Sequence, residues 1–507
     1  MKKELIRFLL FTCIVTLFLG VCFTSADFFA IPVAGVKDFL VIAAQWAVVM
    51  VALFLLCVGL ASFRGLFAIG LPLLTLASAT LAWFRWTLNA TLTPMILDAA
   101  LENDWRTSGD LISVGLVGGL FLSLWVAGGL VYYRWHKITL RRPLLPFVCG
   151  VIGLVGLMQV FALRRPISER IPFTLYFSTV RYWQEKQIAQ EERIDLTAGA
   201  HCEEEELTVV VVLGESVRPD HLGLNGYSRN TTPRLAKEET LVSFPAIYTE
   251  QTYTNRSIPH LLTRADSSDY ERAYTEQSFI SLFRACDYYT VWLANQEAAN
   301  TYVYFMNECD SLFHVNIDKS SYVFDRWVDG DLLPLLDEAL RVERPRKLIV
   351  LHTIGSHWWY NSHFTDDYAQ FQPIVKSKVI SSCTQEEMIN SYDNTILYTD
   401  YFLSEVINRL RDRKAVLLYQ SDHGEALGEE GVWLHAAETP YTHQAAGFIW
   451  LSPVYEQAHP SRLATLRRNA SRPYRTDYLF HSVLDAGGIQ SPYFDASLSV
   501  WRSNEGI

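Results

Sequence analysis

Asp422 and His423 stand side by side where the apolar run "AVLLYQS" (415–421) gives way to "DHGE", and His435 follows twelve residues later. Two other apolar runs end in the same way. "LTVVVVLG" (207–214) leads into Glu215 and Ser216, and "KLIVLHTIGS" (347–356) leads into His357. Carboxylate oxygen and imidazole nitrogen together suit zinc, with manganese as the alternative. Ionised acids and a neutral histidine bind such an ion near pH 7 without first losing a costly proton. Taken singly, each residue has a plainer reading. An Asp before a glycine turn caps a helix, a Glu at a strand end is a capping acid, and a lone histidine is usually a surface group. The convergence of three strand ends on metal-binding residue types is what points to a site.

A sheet must position these residues. Each run is continuous, short and rich in Val, Ile and Leu, as a strand buried on both faces requires. Helix-like stretches at 329–342 and 385–412 lie among them. This alternation predicts an α/β domain with a central, mostly parallel sheet flanked by helices. Ligands collect beyond the carboxyl ends of such strands, where Glu215, Ser216, His357, Asp422 and His423 all fall.

The 507 residues exceed one ordinary domain, and their composition divides. Residues 1–165 carry five apolar stretches long enough to span a bilayer, roughly 5–24, 39–62, 65–84, 111–132 and 144–163. The first has the look of a signal peptide, but four further spans favour a retained anchor. Lys2, Lys3, Arg7, Arg64, Arg134, Lys137, Arg141 and Arg142 outnumber Lys37, Arg85 and Arg106 on the alternate loops. The N-terminus is therefore expected inside and everything after Arg164 outside. A linker follows at 166–200. Its aromatic and charged stretch 170–192 suits a helix lying along the membrane surface or one packed on the outer domain, which occupies 201–507. Net charge is −11 and no basic block is present, which argues against nucleic acid. Of eight cysteines, Cys202, Cys286, Cys309 and Cys383 lie outside the spans, too widely spaced for their pairing to be assigned.

With these motifs in hand, the outer domain resembles the phosphoethanolamine transferases of Gram-negative bacteria, within the alkaline phosphatase/sulfatase superfamily. The resemblance is carried by "VVLGESVRPDHLGLNGYSRNTTPRL" (211–235), "TYTNRSIPHLLT" (252–263), "LHTIGSHWWY" (351–360), "NSYDNTILYTD" (390–400) and "SDHGEALGEEGVWLH" (421–435). It extends to five spans before a periplasmic domain, and to "MILDAALENDWRTSGDL" (95–111) as a periplasmic loop. The resemblance implies zinc on Glu215, on the nucleophile Thr254, and on Asp422 and His423. Thr254 is taken over Thr252 because the family nucleophile lies five residues before the motif's proline, here Pro259. His357 and His435 match histidines that handle the substrate phosphate or a second zinc. Asn295 and Gln296 fall near residues that contact the phosphoethanolamine group.

The implied activity is transfer of phosphoethanolamine from phosphatidylethanolamine to an envelope glycolipid, lipid A or a lipopolysaccharide core. It would run through a phospho-threonine, with His357 or His435 as acid and base, in a monomer of the bacterial inner membrane. Two departures stand out. Glu250 and His260 occupy positions where the family often has a disulfide, and Trp358, Trp359 and Tyr360 follow His357 in place of small residues. Phosphoglycerol transfer on the same scaffold is the nearest alternative. A sulfatase would need an Arg that "SIPHL" (257–261) lacks, and a non-catalytic sensor would be expected to have lost a metal residue.

Overall fold

The computed structural model describes residues 2–29, 31–88, 90–102, 113–319, 325–435 and 437–502. The chain forms two compact units. Unit 1 comprises 1–183 together with two later segments, 318–325 and 376–382, and unit 2 comprises the rest.

Unit 1 is helical. Helix α1 (Lys2–Leu19) runs on through a π turn to Thr24, and α2 (Val36–Ser62), α3 (Arg64–Leu88) and α4 (Val114–Lys137) follow. These four are long and apolar enough to cross a membrane. The fifth expected span differs. Helix α5 (Leu144–Gln159) breaks at Val160 and turns by 105° into α6 (Phe161–Ser168). Five spans result only if the bent pair counts as one. Hydropathy runs on through the break, but Val160 is extended, and Arg164, Arg165 and Pro166 give α6 a polar character.

Small residues and one arginine knit these helices. A Cβ on Gly150 of α5 would come within 2.8 Å of Leu55 O in α2, so glycine permits that close approach. Arg134 of α4 is buried and donates to Ala61 O (2.7 Å) and Ser62 O (3.1 Å), satisfying carbonyls that the end of α2 leaves open. The two later segments are tied to the same unit: Lys37 Nζ donates to Ser381 O (2.8 Å), Asp38 bonds to Ser377 and Ser382, and Thr91 N donates to Asp318 O (3.4 Å). Of the expected loop 95–111, the residues up to 102 fall in a helix, Pro94–Glu102, and residues 103–111 lie outside the described residues. Helix α7 (Phe173–Ile188) covers most of the expected linker helix.

The main sheet of unit 2 has seven strands: β1 (Leu207–Gly214), β2 (Leu241–Phe244), β3 (Tyr289–Ala294), β4 (Ser311–His314), β5 (Arg346–His352), β6 (Ala415–Ser421) and β7 (Gly447–Leu451). Their order is β2-β7-β6-β1-β5-β3-β4. The run from β6 to β4 is parallel, and β7 is antiparallel to both neighbours, so the sheet is mixed with a parallel centre. Every residue of β1 is buried, which accounts for its unbroken apolar sequence. Helices α8 (Thr254–Leu262), α9 (Leu333–Arg341), α10 (Gln385–Leu410) and α11 (Tyr478–Ala486) complete the part that matters here. A capping box of Thr384 and Glu387 starts α10. All eight cysteines are free thiols.

Candidate active site

Strands β1 and β6 lie side by side, and their ends are locked together. Asp422 N donates to Gly214 O (3.0 Å), and Asp422 Oδ1 accepts from Ser216 N (3.0 Å) and His423 N (2.8 Å). Ser421 Oγ accepts from Val217 N (2.7 Å). The turn after Glu215 puts Ser216 at φ +59°, a left-handed conformation that costs a non-glycine residue free energy. Tyr392 of α10 holds it there, because its hydroxyl donates to Ser216 O (2.7 Å) and accepts from Arg218 N (2.9 Å). The β5 loop packs on the same turn: Gly355 has φ +45°, and a Cβ there would lie 2.9 Å from Glu215 O.

This framework brings together the residues singled out from the sequence. Thr254, first residue of α8, donates its hydroxyl to Glu215 Oε2 (2.8 Å) and lies 3.4 Å from His423 Nε2. His423 Nε2 is 3.2 Å from Asp422 Oδ2 and 3.6 Å from Glu215 Oε1. Glu215, Asp422 and His423 are completely buried. Glu215, His423 and His435 offer ligand atoms all within 4.8 Å of one another.

The donor set fits a metal ion. His423 Nδ1–H donates to Gly424 O (2.8 Å), which leaves Nε2 with its lone pair toward the acids. Asp422 Oδ2 is buried and accepts no hydrogen bond, since the Thr254 proton goes to Glu215. Burial and the neighbouring Glu215 charge push the Asp422 carboxyl well up. Burial also works to raise Glu215, but the charge at His435, with His357 and the Ser216 hydroxyl beside it, outweighs burial and holds that carboxyl below the usual range. Burial lowers His423 to about 4, keeping it neutral. Two adjacent buried carboxylates with an unprotonated imidazole form an anionic cage that a dication would neutralise.

His435 joins from the loop after β6. Its Nδ1 lies 3.1 Å from Glu425 Oε2, and its ring sits 4.8 Å from that of His423 and 5.9 Å from that of His357. Burial lowers its basicity, yet Glu425 more than compensates and raises His435 to about 9. Gln296 also reaches the centre, donating from Nε2 to Glu215 Oε2 (2.9 Å) and Thr353 O (2.8 Å). Asn295 does not. Its Nδ2 donates to Asp329 Oδ1 (2.9 Å), while its Oδ1 accepts from Asn316 (2.8 Å) and Trp327 (3.0 Å). Asp329 in turn accepts from Ile354 N and Gly355 N, so Asn295 braces the β5 loop.

Glu425 and Tyr392 escaped the sequence reading. Glu425 is fully buried between His435 and the Tyr360 hydroxyl (2.6 Å), and its place two residues after His423 was the available signal. Where a bridge would bracket the nucleophile segment, Glu250 pairs instead with Arg475, and His260 Nδ1–H donates to Arg256 O (2.7 Å). Trp359 and Tyr360 are buried, and Trp358 packs its ring on both.

A seven-stranded, centrally parallel sheet gathers acids, imidazoles and a hydroxyl at its carboxyl edge, residue types that could hold a metal ion beside a nucleophile. The sulfatase family's sequence model matches residues 208–489, more than half of the chain, and the chain belongs to that family. Phosphoethanolamine transferase EptA of Salmonella typhimurium is 32% identical over 310 residues, covering 57% of this chain and 55% of the relative. The chain thus spans about half the length of that relative in the match. Phosphatidylethanolamine transferase Mcr-2 of Escherichia coli is 28% identical over 461 residues, 83% of this chain and 85% of the relative. Among solved structures, the soluble domain of lipooligosaccharide phosphoethanolamine transferase A from Neisseria meningitidis superposes with a TM-score of 0.56 at 28% identity, covering 61% of this chain and 98% of that one. Unit 2 accordingly has the alkaline-phosphatase-like α/β fold.

Proposed function

We propose that the protein transfers phosphoethanolamine from phosphatidylethanolamine to an envelope glycolipid, with Thr254 as nucleophile. The observation that carries this reading is the Thr254 hydroxyl, hydrogen-bonded to Glu215 at 2.8 Å inside the Glu215–Asp422–His423 cage. The names of the relatives support the donor and the group transferred.

Glu215, Asp422 and His423 would hold zinc beside Thr254, with His435 next to them. When bound there, zinc supplies positive charge that favours the ionised hydroxyl and offsets charge on the phosphoryl oxygens. Thr254 Oγ attacks phosphorus and passes its proton to Glu215. The bond from phosphorus to the glycerol oxygen breaks, and diacylglycerol leaves with a proton from His435 or His357. Glu425 keeps His435 protonated for that task. The acceptor oxygen then attacks the phospho-threonine, gives its proton back to the same imidazole, and Thr254 recovers its own from Glu215. Gln296 fixes the Glu215 carboxylate through both steps.

An anchor in the bilayer makes this chemistry efficient, because donor and acceptor both reside in membranes. The Lys and Arg bias of the loops supports a cytoplasmic N-terminus and a periplasmic unit 2 in the inner membrane. Mass spectrometry of envelope glycolipids with and without the protein tests the reading. A new phosphoethanolamine group should appear with the wild type and vanish with Thr254→Ala. A profile unchanged by the wild-type protein would refute it.

A further inference from the structure

Helix α8 presents two faces. Thr254, Ser257, Ile258 and Leu261 turn toward the site and the core, the last three being buried. Arg256 and His260, four residues apart, share the other face, and Tyr253 precedes the helix in an extended conformation. Arg256 is exposed and has no carboxylate partner among the described residues. Its guanidinium lies over the Tyr253 ring, 5.5 Å from the centroid. His260 packs beneath, its ring 5.5 Å from that of Tyr270 and 6.2 Å from that of Tyr274. With Nδ1–H spent on Arg256 O, its buried Nε2 has no partner. Tyr270 and Tyr274 remain 42% and 37% exposed, so the patch is aromatic, cationic and open to solvent.

An uncompensated guanidinium backed by tyrosine rings matches a sugar-borne phosphate: the planar fork binds the anion, and the rings take the apolar face of the sugar. The Thr254 hydroxyl bonds to Glu215, and Arg256, two residues on, lies about 200° round the helix from it. A group held at Arg256 is therefore not the group that reacts. We propose that Tyr253, Arg256 and Tyr274 form an acceptor subsite for a second phosphate on the glycolipid, remote from the position that receives phosphoethanolamine.

The inference rests on the transferase reading, yet its test needs no turnover. Full-length protein carrying Thr254→Ala, in detergent micelles, is titrated with bisphosphorylated lipid A and with its monophosphorylated form. The bisphosphorylated lipid should bind about tenfold more tightly, the yield of one charge-assisted contact at an exposed site. Adding Arg256→Glu should abolish that preference, Arg256→Gln should weaken it, and Arg256→Lys should restore most of it. Equal affinity for the two lipids, or a preference that survives both Arg256→Glu and Arg256→Gln, would overturn the proposal. Inorganic phosphate competing as strongly as the lipid itself would reveal a free-anion site and overturn the acceptor assignment. Failure of the transferase reading would show separately, as an unchanged glycolipid profile.

Discussion

Among the carboxylates that raise His435, Glu425 acts most strongly. Glu425 is wholly buried, touches the His435 Nδ1 edge and the Tyr360 hydroxyl, and leaves the other ring nitrogen to the cage. In protein stripped of metal by a chelator, the His435 ring should titrate near pH 9, and Glu425→Gln should lower that midpoint by at least about one unit, as followed by NMR. Because the folded value is raised, the stabilisation from this pair is complete below about pH 6.5 and fades as pH climbs through about 9. A ring that titrates identically in both proteins would show that Glu425 does not set its charge. Glu215, Asp422 and His423 were legible in sequence because each follows an apolar strand. Glu425 was hidden within the same motif because only folding shows which of its polar residues meets His435. Asn295 lies one residue from Gln296, yet only Gln296 turns to Glu215.

At the level of elements, α10 acts as a brace for the turn that carries Glu215. Asp393 accepts from Tyr227 (2.9 Å) and Arg229 (2.8 Å) and sits 2.7 Å from His221 Nδ1, while Tyr392 holds Ser216 and Arg218. Asp393→Asn strips a buried charge from partners left in place, and should lower the thermal midpoint of unit 2 by roughly 5 °C. Differential scanning calorimetry would measure it, and no shift would mean the loop is held by other contacts. The sequence showed α10 and the three central strands, since long periodic or continuous apolar runs are strong signals. It did not show that "YDNT" was more than packing, because the hydrogen-bond partners of Tyr392 and Asp393 stand more than 160 residues earlier. The break at Val160 was equally invisible, as hydropathy averages over backbone direction.

For the whole molecule, the notable point is that 318–325 and 376–382 belong to unit 1 although both are embedded in the sequence of unit 2. A fragment spanning 201–507 would lack Lys37, Asp38 and Thr91, the partners of Ser381, Ser377, Ser382 and Asp318. Hydrogen exchange should therefore be faster in those two segments in the fragment than in the full chain, with the strands of the central sheet equally protected in both. Equal protection of the segments in both proteins would contradict the assignment. No local pattern announces these excursions; they are polar stretches whose partners stand hundreds of residues earlier.

The pairing of Glu215 with Asp422 has a bearing on supply. Two acids sealed together cannot both stay ionised unless something positive stands between them, so a proton must deputise whenever the cation is scarce. On the proposed zinc reading, acidity and metal starvation would converge on one common protonated form of the site, inert but intact. On that same reading, restoring the ion would displace the proton and free the Thr254 hydroxyl to act, without any rebuilding of the chain around it.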